Sequence, residues 1–130
     1  AAKALDKLIK KHRELADQTI KNSTIKKQLL EKLSADVSEL QELVRGLTLL
    51  KEVSARSLDY LVSFGERLSD DLVSFALQDL KKKSTALNGK EVGIVTDSNF
   101  GESRPLMDTT RIRISKTLGS LLSKKIVLFL

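Results

Sequence analysis

Helical periodicity claims almost all of Leu58 to Leu80, LDYLVSFGERLSDDLVSFALQDL. Leu58, Leu61, Val62, Leu68, Leu72, Val73, Ala76, Leu77 and Leu80 recur at three- and four-residue steps. That spacing draws a wide apolar stripe along a helix and would scatter it over both faces of a strand. The stripe's width predicts the most buried helix of the chain. Ser63-Phe64-Gly65-Glu66 sits in its middle. Glycine in a helix interior costs about 1 kcal/mol against alanine, so a helix that keeps one is expected to use it for close backbone approach. Glu66 follows at once, and a ligand arriving there would meet bare backbone and a carboxylate together.

The flanks extend the helical pattern. Ser54 or Ser57 can cap this helix, which is expected to run to about Lys82, with Lys81, Lys82 and Lys83 at the negative end of its dipole. Upstream, Leu5, Leu8, Ile9, His12, Leu15, Ala16 and Ile20 predict a first helix over Ala1 to about Asn22. Asn22, Ser23 and Thr24 offer a cap for a second, from Thr24 to Arg45. Leu29, Leu33, Val37, Leu40, Val44 and Leu47 form its seam, and Gly46 reads as its stop. Residues 1–50 therefore read as an antiparallel helical hairpin, joined to the third helix by a short apolar connection, Thr48 to Val53.

After Lys83 the texture changes. Ser84–Leu87 reads as a short strand, Asn88-Gly89 as a turn, and Glu91–Thr96 as a second strand. Ser98 to Pro105 is a loop. Asp108 is placed to cap a fourth main helix, Thr109 to Ser123. Ile126–Leu130 is wholly apolar, the pattern of a buried strand in a parallel sheet. A chain stopping inside such a strand looks cut, since termini usually lie at the surface. The expected class is α/β but helix-dominated: four main helices with a small, partial sheet.

The 130 residues suffice for one domain with a core. With no cysteine, disulfides, thiol catalysis and Cys-based zinc sites are excluded, and the composition fits a cytoplasmic protein. No apolar run approaches the roughly 20 residues of a membrane helix. The net charge of +6 comes from lysines scattered over helical polar faces, without an aromatic-interleaved basic stripe. Neither nucleic acid nor a membrane is therefore expected as a partner.

Other candidate chemistry is sparse. His12 is the single histidine, has no second histidine at metal-ligand spacing, and reads as a packing or boundary residue. Asp70 and Asp71 point about 100° apart on a helix and suit solvent or local pairing rather than a metal. Glu66 and Asp70 share a face at i, i+4, with a structural role favoured for Asp70. Arg104, Arg111, Arg113 and Lys116 concentrate charge near the last helix, as a phosphate or subunit contact or, more simply, as a solvated surface. Ser63 has no His–Asp partner pattern, and no glycine-rich loop cradles a phosphate.

Several blocks in register carry a resemblance. Ser63-Phe64-Gly65-Glu66-Arg67-Leu68-Ser69 is similar to the SFGERLS block of aspartate kinases. Ala86-Leu87-Asn88-Gly89, Gly93-Ile94-Val95-Thr96-Asp97 and Asn99-Phe100-Gly101 follow in the family's order. The similarity is clearest from Ser54 to Val127. It implies a partial catalytic domain of the amino-acid-kinase family, a fragment of an α/β/α sandwich. Residues 1–50 would be a helical hairpin, and 54–130 the substrate-binding helix plus a small α/β portion. Aspartate kinases transfer the γ-phosphoryl group of MgATP to the side-chain carboxylate of L-aspartate. By position, the resemblance gives substrate binding to Glu66, with Gly65 opening the backbone. It assigns no catalytic residue and no metal ligand within this chain.

The family's Lys-Phe-Gly-Gly-Thr-Ser, Gly-Arg-Gly-Gly-Ser-Asp and Thr-Thr-Asp-Pro-Arg blocks do not occur here, nor do its regulatory domains. MgATP is thus the co-substrate of the parent, with none expected on this fragment, and the isolated chain is expected to be inactive. Lys81-Lys82-Lys83 stands where the family commonly has a glycine-containing turn. Leu128-Phe129-Leu130 departs from its Pro-(Ile/Val)-Val-Thr-Gly-Phe continuation. The alternative is a non-catalytic helical structural or interaction module derived from that family, natural or engineered. Faces left by missing sheet neighbours would favour self-association or a homodimer.

Overall fold

The computed structural model describes residues 2–99, 102–124 and 126–128. Helices α1 (Ala2–Thr19), α2 (Ser23–Leu50) and α3 (Ala55–Asp79) come first. Strand β1 (Ser84–Ala86), helices α4 (Gly89–Val92) and α5 (Met107–Leu121), and strand β2 (Ile126–Leu128) complete the chain. The class is the expected one, helix-dominated with a small sheet, and α4 is a helix beyond the four anticipated.

The core lies among the first three helices. Ala16, Ile20, Leu29, Leu33 and Leu68 are buried together, with Leu8, Ile25, Val37, Leu72 and Phe75 packed against them. These are the residues that helical spacing aligns, and burying each large one stabilises the fold by about 1.5–3 kcal/mol. His12 is buried, and its Nδ1 bonds the Leu8 carbonyl at 2.9 Å, the packing role expected of it.

The turn between α1 and α2 is held from two sides. Asn22 caps α2 by accepting from the Thr24 and Ile25 amides at 3.0 and 3.1 Å. Asp79, at the far end of α3, accepts from the Lys21 and Asn22 amides, both at 3.0 Å. Those backbone bonds, Lys21's first, hold the Asp79 carboxyl below the usual carboxylate range. Its contribution to stability is present above the unfolded-chain value and fades as pH falls through the lowered one.

Three boundaries differ from expectation. Gly46 does not stop α2, which continues to Leu50 and ends where Lys51 turns left-handed at φ 52° and donates to the Leu47 carbonyl. Propagation adds one backbone bond per residue, and leucines after Gly46 sustain it. Asn88-Gly89 is not a hairpin turn, and Glu91–Thr96 is not a strand. Asn88 accepts from the Glu91 amide at 3.0 Å while Glu91 accepts from the Asn88 amide at 2.8 Å. This reciprocal capping box starts α4 and outweighs the β-branched residues beyond it. Only Thr96 has a strand-like partner, one isolated antiparallel bridge to Pro105. Asp108 is not the cap of α5; Leu106 occupies that position without a side-chain bond, and Asp108 lies in the first turn, where its charge still suits the dipole.

Strands β1 and β2 pair in parallel, with Ser84 opposite Ile126, Thr85 opposite Val127 and Ala86 opposite Leu128. The parallel expectation for the final run holds, but not its burial, since Ile126 is 44% exposed. Residues 129–130 of the expected strand lie outside the described residues. Helix α3 also falls short of complete burial. Phe64, Leu68, Asp71 and Ser74 form its buried face, while Leu58, Val62, Val73 and Leu80 are exposed. Among the described residues no helix is long and apolar enough to cross a membrane.

Two left-handed positions give opposite expectations. Gly93 closes α4 at φ 105°, and a Cβ built there would lie 2.7 Å from Arg113 Cβ. Lys81, after α3, sits at φ 62°, the first of the three lysines Lys81–Lys83. Lys81→Gly should raise stability by about 0.5–1 kcal/mol, whereas Gly93→Ala should lower it by about 1–3 kcal/mol. Urea unfolding midpoints of the two variants check both signs.

Candidate functional site

A cleft of about 580 Å³ opens between α2, α3 and the start of α4. Ser63, Glu66, Arg67 and Asp70 of α3 form one wall, because steps of three and four residues return to the same helix face. Lys32, Asp36 and Glu39 of α2 form another, and Asn88 to Glu91 close the third side. Six carboxyls, those of Asp36, Glu39, Glu66, Asp70, Asp71 and Glu91, border the cleft against three cations, Lys32, Arg67 and Lys90. An acidic recess in a chain of net charge +6 is a local choice that overall composition conceals.

The floor is a charged contact between α2 and α3. Arg67 Nη2 donates to Asp36 Oδ1 and, at 3.1 Å, to Glu39 Oε2. Its guanidinium lies 4.5 Å over the ring of buried Phe64, which meets the Tyr60 ring edge-on with centroids 5.3 Å apart. Tyr60 donates its hydroxyl to Glu39 Oε1. That bond, then Arg67's, holds the Glu39 carboxyl below the usual range, and the same bond raises the Tyr60 phenol. Lys32 Nζ reaches Asp71 Oδ1 at 2.6 Å. Burial pushes the Asp71 carboxyl up against Lys32's opposing pull, and neighbouring Asp36 adds to the rise.

Glu66 stands apart from this network. It is exposed on the cleft wall, and among the described residues it has no hydrogen bond or ion pair. The adjacent Arg67 is turned to α2 instead. Gly65 is also exposed, and a Cβ there would meet nothing within 4 Å. Packing among the described residues therefore makes no demand for glycine at that position. Asp70 borders the same cleft.

Asp71 corrects its sequence reading. It is 3% exposed and bonded across to α2, neither solvated nor paired within its own helix. The remaining basic candidates, Arg104, Arg111, Arg113 and Lys116, are exposed and do not border the cleft. Lys32, Asp36, Glu39 and Tyr60 escaped the sequence analysis. Lys32/Asp36 and Arg67/Asp71 each repeat a cation and a carboxyl at i, i+4 on adjoining helices, a signal that was available. Among the described residues no group of three His, Cys, Asp or Glu could hold a metal ion.

No protein-family model matches the chain. Aspartokinase 2, chloroplastic, of Arabidopsis thaliana is 35% identical over 79 residues, 61% of this chain and 14% of that protein. The aspartokinase of Helicobacter pylori is 30% identical over 106 residues, 80% of this chain and 26% of that protein. The structure of E. coli aspartokinase III with aspartate and ADP superposes with a TM-score of 0.74 over 96% of this chain and 26% of that one. The chain belongs to the aspartate kinase family. It spans from about a seventh to a quarter of the length of these relatives. The superposition, at 18% identity, establishes the shared fold.

Arg67 is the bridge on which the cleft floor depends. Replacing it with alanine leaves buried Asp36 without its cation. Arg67→Ala should destabilise the chain by about 2–3 kcal/mol, below the roughly 3–5 kcal/mol of a fully buried broken pair because Arg67 is itself partly exposed. Chemical denaturation of the variant beside Glu66→Ala, which should be near neutral, measures the difference.

Proposed function

We propose that this chain is the amino-acid-binding portion of an aspartate kinase, with Glu66 accepting the α-ammonium group of L-aspartate. The observation that carries the reading is an exposed carboxylate, unpaired among the described residues, on the wall of an acidic cleft and within the block that resembles the family's. A carboxylate bonds an ammonium group through charge-assisted hydrogen bonds, stronger than neutral ones. Lys32 and Arg67, the bonded cations of the α2–α3 contact, are both turned to other carboxyls, so neither competes for Glu66. Gly65 leaves open space beside it, which suits a ligand's close approach rather than packing.

The reaction so assigned transfers the γ-phosphoryl group of MgATP to the aspartate side-chain carboxylate. The residues present do not fit MgATP. The chain has no glycine-rich phosphate loop, and its described carboxyls form no metal-binding cluster. Phosphoryl transfer depends on groups that position and neutralise phosphates. We therefore take the chain as one partial catalytic domain, its 1–50 hairpin supporting the 54–130 substrate portion, with ATP handled elsewhere in the parent. The reading keeps the cytoplasmic placement drawn from the cysteine-free composition. It also keeps self-association, in keeping with exposed Leu49, Leu50 and Val53 at the α2–α3 turn. A strictly monomeric mass by light scattering would count against it.

Steady-state kinetics of a full-length enzyme carrying this segment test the assignment of Glu66. Glu66→Gln should raise the KM for aspartate by about tenfold or more, the scale of losing a charged hydrogen bond, with the KM for ATP little changed. An unchanged aspartate KM would refute it. Gly65→Ala should make the isolated chain more stable by about 0.5–1 kcal/mol while weakening aspartate use by the full enzyme. A coupled ATP/aspartate assay on the isolated chain should show no turnover.

A further inference from the structure

Lys32 and Asp36 stand one turn apart on α2, and Arg67 and Asp71 one turn apart on α3. Lys32 bonds across to Asp71 and Arg67 across to Asp36, so the signs alternate around a four-cornered contact. The two carboxyls occupy one diagonal. Both are buried, Asp36 at 7% exposure and Asp71 at 3%. Each cation is bonded to the Oδ1 of its partner. Asp36 Oδ2 is left shut off from solvent with no hydrogen-bond partner among the described residues.

A buried, charged, unsatisfied oxygen is costly. A dissolved ligand does not reach an atom with no accessible surface. The group on the diagonal is Asp71, and two carboxylates approach one another only when one of them carries a proton. The local charge count agrees. Lys32 and Arg67 face Asp36, Asp71 and Glu39, and Glu39 is kept ionised by the Tyr60 hydroxyl and Arg67. One proton brings the five groups to neutrality.

We propose that Asp36 and Asp71 hold one proton between them across the α2–α3 contact, with the Asp71 carboxyl donating to Asp36 Oδ2. Burial, the larger influence, and then Asp36 raise the Asp71 proton affinity, while Lys32 lowers it without reversing the rise. The surrounding groups are accounted for. Asp70 lies beside Asp71 on α3, and Lys90 and Glu91 border the cleft from α4. Helix α1 faces the adjoining core with Leu8, Ala16 and Ile20, and its buried His12 is bonded to the Leu8 carbonyl.

Linkage gives the sign. A carboxyl whose proton affinity is raised by folding binds more protons in the native state, so this contact loses stability as pH rises from the unfolded-chain value through the native one. Asparagine at 71 puts a permanent N–H donor in the same place. The experiment is ¹³C-carboxyl NMR titration of the wild-type chain, joined to urea unfolding of wild type, Asp71→Asn and Asp71→Ala. Asp71 should titrate above the ordinary aspartate range. Asp71→Asn should lose that fall in stability, exceeding wild type near about pH 8 and converging with it near about pH 4, the unperturbed aspartate region. Asp71→Ala should be less stable than Asp71→Asn throughout. Asp71 titrating in the ordinary range would overturn the proposal, as would Asp71→Asn being no more stable than wild type near about pH 8. Should Asp71→Asn fail to fold, the wild-type titration decides alone.

Discussion

The contact between α2 and α3 joins the core to the cleft and orients the helix that bears Glu66. Its apolar part, Leu29 and Leu33 against Leu68, joins the core beneath α1. Its polar part, where Arg67 grips Asp36 and Glu39 and Lys32 grips Asp71, forms the cleft floor immediately above. Apolar burial supplies most of the stabilisation but little direction, because leucines slide over leucines at small cost. The ion pairs add register. Arg67 is fixed by two carboxyls and the Phe64 ring, so the helix turn that also bears Glu66 has one orientation. The gain from such pairs is specificity more than net energy, since desolvation consumes much of the Coulombic attraction.

That division explains how the site can carry a free carboxylate. Arg67 and Glu66 are neighbours in sequence and point about 100° apart on the helix. One turns to α2 and is neutralised there; the other faces the cleft. Asp79 performs a comparable service at the C-terminal end of α3 by holding the α1–α2 turn through two backbone amides. The middle and the C-terminal end of α3 are therefore tied to the hairpin, and the segment from β1 to α4 closes the cleft.

Much of this was legible in the sequence. The three long helices are dictated by apolar spacing, and the SFGERLS block carries the family resemblance. The features that were not legible came from local bonds that outvote composition. Asn88 and Glu91 read as a turn and a strand start until their reciprocal capping is seen, and Gly46 reads as a stop until the chain passes it. The interhelical network was harder. Asp71 looks like any exposed helical carboxyl, because burial is a property of the face that α2 covers. The i, i+4 repeats of Lys32/Asp36 and Arg67/Asp71 show that such pairs exist, but only the packing shows that they meet. Gly65 shows the reverse: its cost is evident in sequence, yet nothing described around it requires glycine.

Glu66 is proposed to face the ammonium group of L-aspartate in a cleft floored by the α2–α3 contact. The decisive measurement is a crystal structure of a full-length aspartate kinase carrying this segment, with L-aspartate bound. The ammonium nitrogen is expected within about 3 Å of the Glu66 carboxylate, the distance of a charge-assisted hydrogen bond, with Arg67 still bonded to Asp36 and Glu39. An ammonium group held by other residues, with Glu66 turned away from the ligand, would contradict it.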